Sequence, residues 1–91
     1  MLEQEVTIKI DSGIHARPAA MFVKLANKFP CEIFLEKETT RINGKSIMGL
    51  MMLALTKGST VTVIADGEEE KAAVQDLSSL LESDFQREDI L

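Results

Sequence analysis

The sequence predicts an α+β domain, a four-stranded antiparallel sheet with three helices gathered on one face, in the order β-α-β-β-α-β-α. Three observations predict it. Apolar and polar residues alternate in runs that suit strands with one wet face, so the sheet needs covering on one side only. Between those runs lie segments whose apolar residues recur at helical spacing. Gly, Pro, Asn or Ser stands at the boundaries. With 91 residues there is room for one core, and 1–91 reads as a single domain.

The first strand is the run in which Val6, Ile8 and Ile10 alternate with Glu5, Thr7 and Lys9, and Asp11-Ser12-Gly13 breaks it. A helix follows from Ala16 to Phe29, its core face marked by Ala19, Phe22, Val23, Ala26 and Phe29, and Pro30 closes it. Met21 and Leu25 fall off that face and are expected at the surface. Residues 31–38 form a second strand with Ile33 and Leu35 inward, and 39–44 a third that ends in a turn at Asn43-Gly44. Ser46 caps a short helix over 46–53. Two turns bury about half their side chains, so Leu50 and Leu53 face the core while Ile47, Met48, Met51 and Met52 cannot all join them. In the fourth strand, 59–66, Val61, Val63 and Ala65 alternate with Thr60, Thr62 and Ile64. After Gly67 comes the last helix, with Ala73, Val74, Leu77, Leu80 and Leu81 inward and Glu68, Glu69 and Glu70 in a first turn that favours carboxylates. The ending QREDIL is polar enough to be partly loose.

Composition removes several classes of function. A net charge of −5 and a pI near 4.8 argue against nucleic acid, which needs clustered Lys and Arg. With no Trp or Tyr there is no stacking platform either. Cys31 stands alone, which excludes an internal disulfide, suits a reducing compartment and fits a packed or half-exposed side chain. The N-terminus has no signal-peptide pattern, and no run approaches the ~20 apolar residues of a membrane span. The expectation is a cytoplasmic protein without membrane insertion. One His and one Cys do not make a zinc site, no glycine-rich phosphate loop exists, and neither metal nor cofactor is expected.

That leaves GIHARPAA, residues 13–20, which holds the only histidine. A helix beginning at Ala16 leaves its first backbone N–H groups unpaired and turned toward His15. Together with the aligned peptide dipoles they make a place for an anion. Pro18 gives up an N–H only where no acceptor would exist, and Arg17 adds a guanidinium fork suited to phosphate oxygens. The same positive surroundings favour the neutral imidazole, with its lone pair available. A histidine that carries phosphate fits this setting, which includes no groups for hydrolysing it. An idle, exposed histidine before a helix fits the spacing too. Ser12 either joins the phosphate-binding helix start formed by Ala16 and Arg17 or merely makes the turn. The methionines of KSIMGLMML are either an adaptable docking patch or an overpacked core. Lys24 and Lys28 give that patch a cationic rim or only solvate the helix. A phosphate on Ser46 would sit at a helix N-terminus and repel an acidic partner.

At these residues the sequence closely resembles the HPr family, the histidine-containing phosphocarriers of the bacterial phosphoenolpyruvate-dependent sugar phosphotransferase system. SGIHARPAA, KSIMGLMML and KGSTVTVIADGEEE carry the resemblance, which spans essentially the whole chain. It implies that family's open-faced β-sandwich, with strand order 1-4-2-3 and three helices on one face. It implies a phosphocarrier that is itself phosphorylated, with no small-molecule turnover of its own and acting as a monomer. His15 would take phosphate on Nδ1 from enzyme I and pass it to a IIA domain of a sugar permease, with Arg17 steadying the group. Ser46 matches the family's regulatory serine, the target of an ATP-dependent HPr kinase/phosphorylase and, in some lineages, the key to a catabolite regulator. Ala20, Lys24, Ile47, Met48, Met51 and Met52 would form the docking surface.

Two alternatives fit the same resemblance. One is the nitrogen-branch carrier NPr, with the same His15 chemistry. The other is a non-carrier regulatory binding module acting through Ser46; members that regulate without carrying phosphate replace the histidine, which this chain keeps. Two positions depart from the family pattern. Met52 stands where a small polar residue is usual, and Ala54 where glycine is usual. If position 54 needs positive φ, Ala54 carries strain of about 1 kcal/mol.

Overall fold

The computed structural model describes residues 1–86; of the polar ending QREDIL, residues 87–91 lie outside the described residues. Seven elements follow in the expected order: β1 (Leu2–Thr7), α1 (Ala16–Ala26), β2 (Glu32–Lys37), β3 (Thr40–Asn43), α2 (Ile47–Met52), β4 (Thr60–Asp66) and α3 (Glu70–Leu81). The strands form one antiparallel sheet in the order β1-β4-β2-β3. Register explains why the sheet is covered on one side. Val6 pairs with Val61, Leu35 with both Val63 and Ile42, and Ile33 with Ala65, so one face is a continuous apolar layer. The three helices lie on that layer and close the core around Phe22, Leu50, Leu77 and Leu80. Among the described residues no helix is long and apolar enough to cross a membrane.

Three expectations need correction. Met21 and Leu25 are buried, not at the surface, because α1 packs against α2 and α3 as well as lying in the helical layer, and its buried arc widens accordingly. Glu68 and Glu69 precede α3. Glu69 takes a left-handed φ of 65° at the N-cap, and only Glu70 stands in the first turn. Ile64, read as lying on the wet face, is 1 % exposed: it sits in the central strand β4 between Glu3 and Phe34. Next to it on that face, the Arg41 guanidinium lies 5.7 Å from the centre of the Phe34 ring and 2.9 Å from a Glu36 oxygen.

Both ends of the described segment are tied down. At the far end α3 stops at Leu81, the Ser83 hydroxyl donates to the Leu80 carbonyl at 2.6 Å, and Phe85 turns back with φ 59° into full burial. At the start, the terminal ammonium lies 3.1 Å from Glu70 Oε2 and 3.7 Å from Asp66, while Glu70 Oε1 accepts the Gly67 N–H at 3.0 Å. That N–H, and then the ammonium, hold the Glu70 carboxyl below its ordinary 4.5. Glu70 in turn raises the ammonium above its ordinary 8.0. A lowered carboxyl stabilises above its unfolded pKa and loses that as pH falls; a raised ammonium stabilises below its unfolded pKa and loses that as pH rises. The clamp is therefore whole between about pH 4.5 and pH 8. Acetylating the terminal amine should flatten the alkaline limb of the unfolding midpoint plotted against pH.

Candidate functional site

The chain leaves β1, and Ile8 is still tied to the segment before β4, its N–H donating to the Ser59 carbonyl at 2.9 Å. It then turns sharply. The Gly13 N–H donates to Ile10 at 3.0 Å, with Gly13 at φ +72°, and the Ile14 N–H donates to the Leu55 carbonyl at 2.8 Å. Ile14 is buried, so the next residue, His15, is set at a fixed point on the surface as the N-cap of α1.

His15 has extended backbone angles, φ −96° and ψ −164°, and its side chain makes no capping hydrogen bond. The first intrahelical bond is the Ala19 N–H to the His15 carbonyl at 3.0 Å. Upstream of it the N–H groups of Ala16 and Arg17 have no helical acceptor, and Pro18 has none to place. His15, Ala16 and Arg17 are exposed and Pro18 is buried. An open cleft of about 380 Å³ brings together Ser12, His15, Arg17 and Pro18. The Ser12 hydroxyl lies 3.5 Å from the Gly13 carbonyl, too long to hold it firmly. Lys9, Asp84 and Gln86 also line the cleft. Sequence reasoning missed all three, although Lys9 lay on the outward phase of the first strand. Asp84 and Gln86 arrive only through the turn that buries Phe85. At the rim, Asp11 and Lys57 form an exposed pair at 2.7 Å, which lowers the carboxyl and raises the ammonium.

The second helix is capped as expected: the Ser46 hydroxyl accepts the Gly49 N–H at 3.0 Å. Leu50 and Leu53 are buried. Ile47 and Met51 are over two-fifths exposed, and Met48 and Met52 three-quarters, so the methionines are a surface patch, not an overpacked core. Ala20, Lys24 and Lys28 on the α1 side are exposed as well. Ala54, just past α2, has φ 52°, the conformation for which glycine would be the unstrained choice. A second cleft of about 260 Å³ includes Cys31 and Lys45. Cys31 is buried, and burial pushes its thiol up, away from reactivity.

The geometry can be compared with known proteins. The family model described as the PTS HPr component phosphorylation site matches residues 2–83. The chain is 48% identical over 84 residues to the HPr-like protein Crh of Halalkalibacterium halodurans, covering 92% of this chain and 100% of that protein. It is 41% identical over 85 residues to the phosphocarrier protein HPr of Neisseria meningitidis serogroup A, covering 93% and 96%. A crystal structure of HPr from Thermoanaerobacter tengcongensis matches with a TM-score of 0.90 at 44% identity, over 97% of this chain and 99% of that one. A further structure from that organism is described as an HPr dimer.

Proposed function

Because this chain belongs to the HPr family of the phosphotransferase system, we propose that it carries a phosphoryl group on His15 between enzyme I and the IIA domains of sugar permeases. What supports this most is the empty cap of α1. A residue placed for helix stability would be Ser, Asn or Asp, with an oxygen on the free N–H groups. His15 makes no such bond, and the donors of Ala16 and Arg17 are left for an acceptor from outside.

In the transfer, the imidazole nitrogen, Nδ1 by family analogy, attacks phosphorus in line as the bond from phosphorus to the donor histidine of enzyme I breaks. One P–N bond forms as another breaks, and no water takes part. The phosphoryl oxygens then meet the Ala16 and Arg17 N–H groups and the Arg17 guanidinium. Passing the group to a IIA domain reverses these roles. No metal or cofactor is needed. The protein would work as a monomer in the cytoplasm, where phosphoenolpyruvate is made and spent.

Incubation with enzyme I and phosphoenolpyruvate radiolabelled in its phosphoryl group tests the reading: the label taken up should be acid-labile and base-stable. Label found only as an ATP-dependent, acid-stable ester would replace the carrier by a regulatory module acting through Ser46. The strong likeness to an HPr-like protein Crh favours that second reading as an added control. A phosphate on Ser46 could keep accepting the Gly49 N–H, so α2 would stay folded. It would also bring a dianion beside Ile47 and Met48, the start of the docking patch.

Two substitutions separate chemistry from docking. Arg17→Ala should slow transfer about tenfold, the loss of one charge-assisted contact to the moving phosphoryl group. The thermal midpoint should hold, since Arg17 is exposed. Met48→Asp should raise the KM for enzyme I about tenfold, as expected for a charge set into an apolar contact. Steady-state kinetics and a melting curve read both.

A further inference from the structure

The C-terminal end of α2 is held by a residue from another element. A helix ends with carbonyls that lack partners, and basic side chains in its last turn usually serve them. α2 has no basic residue there. Instead the ammonium of Lys37, at the end of β2, donates to the Leu53 carbonyl at 3.3 Å and to the Ala54 carbonyl at 3.2 Å. Those carbonyls flank the backbone turn in which Ala54 is held at φ 52°. An alanine there opposes its own backbone preference, and an external donor on both neighbouring carbonyls offsets that. Met51 and Met52, half of the exposed patch, lie one to three residues before this point.

We propose that Lys37 is a positioning residue for docking: its ammonium fixes the left-handed exit of α2 at Ala54 and thereby sets the pose of Met51 and Met52. The inference rests on the carrier reading for its kinetic consequence, but its structural half stands apart from it. Lys37 does not line the cleft around His15, so it acts on partner capture and leaves the chemical step alone.

The test uses Lys37→Met in the full chain, alone and combined with Ala54→Gly. Lys37→Met should raise the KM for enzyme I about three- to fivefold, the scale of one cation at a helix C-terminus, with kcat unchanged. It should also shift the methyl NMR signals of Met51 and Met52. Adding Ala54→Gly should restore both, because glycine enters the left-handed region without help. An unchanged KM, or a fall in kcat alone, overturns the proposal. Failure of Ala54→Gly to rescue overturns it too, since Lys37 would then be touching the partner directly. If the wild type takes no label from enzyme I, the carrier reading falls. The clamp is then judged by the methyl signals, and unmoved signals in Lys37→Met end it.

Discussion

A His15→Asn variant should take up no acid-labile label from phosphoenolpyruvate and enzyme I, and it should melt at a higher temperature than the wild type. The two halves have separate causes. Loss of label is complete because the transferred group has no other imidazole in the chain to bond to. The gain in stability comes from the cap. Position 15 already has the extended backbone of an N-cap, and no side chain fills it. An asparagine oxygen there would reach the free N–H groups of the first turn, a bond worth about 0.5–1 kcal/mol. In a chain of this size that is a rise of about 2–8 °C in the melting midpoint. Calorimetry and the labelling assay read the two effects on the same sample. A variant that melts lower would show that the histidine ring supports the fold, and residual acid-labile label would place the phosphate elsewhere. The combination expected here, more stable and inert, marks a position where helix stability has been given up for chemistry.

The two helices that frame the site treat their first turns in opposite ways. α2 satisfies its own start through Ser46 and Gly49, and a side chain on Gly49 would stand 3.3 Å from the Ser46 hydroxyl. α1 leaves its start unfilled. An anion arriving from solution therefore finds donors at His15 and a closed cap at Ser46. Ser46 can carry charge only by being modified, and on the proposed carrier reading His15 sits where an incoming phosphoryl group would be received.

Most of this was legible because the signals are local. The period of two in VTVIA, the serine ahead of IMGLMM and the proline after HAR each depend on a few neighbouring residues. Two helical turns cannot readily bury Ile47 and three methionines together with Leu50 and Leu53, so counting put a surface patch within reach of the sequence, but an overpacked core stayed open until the exposures of Met48 and Met52 decided it. What was not legible depends on distant neighbours. Met21 and Leu25 are buried because α1 has two helices against it, which one helix's periodicity cannot reveal. The start of α3 slipped to Glu70 because a turn from Gly67, with φ +128°, and the left-handed Glu69 intervene. Asp84 and Gln86 reach the cleft only because Phe85 folds back into the core, and Lys37 finds the end of α2 across 16 and 17 residues of chain. Such pairings are set by sheet order and register, and no short window of sequence encodes them.

Gly13→Ala should destabilise the chain by about 2–3 kcal/mol and slow transfer at His15 at the same time. Gly13 has φ +72°, and left-handed backbone costs an alanine about 1 kcal/mol. Its new Cβ would also lie 2.8 Å from the Leu55 carbonyl oxygen, a backbone atom that cannot swing aside. That oxygen is the acceptor for the Ile14 N–H, so relieving the clash loosens the bond that sets His15 in place, at a cost of about another 1–2 kcal/mol. Urea unfolding should show a lower midpoint with an unchanged slope. Gly58→Ala is the matched control. Gly58 is at φ +91°, but nothing lies within 4 Å of the Cβ it would gain. It should therefore cost only the backbone share, about 1 kcal/mol, and leave transfer alone. If both variants lose the same stability, the contact with Leu55 contributes nothing and the turn before His15 is held by backbone conformation only. If Gly13→Ala alone slows the transfer, the glycine is there because the loop carrying Leu55, between α2 and β4, passes too close for any side chain, and that close passage is what aims the histidine.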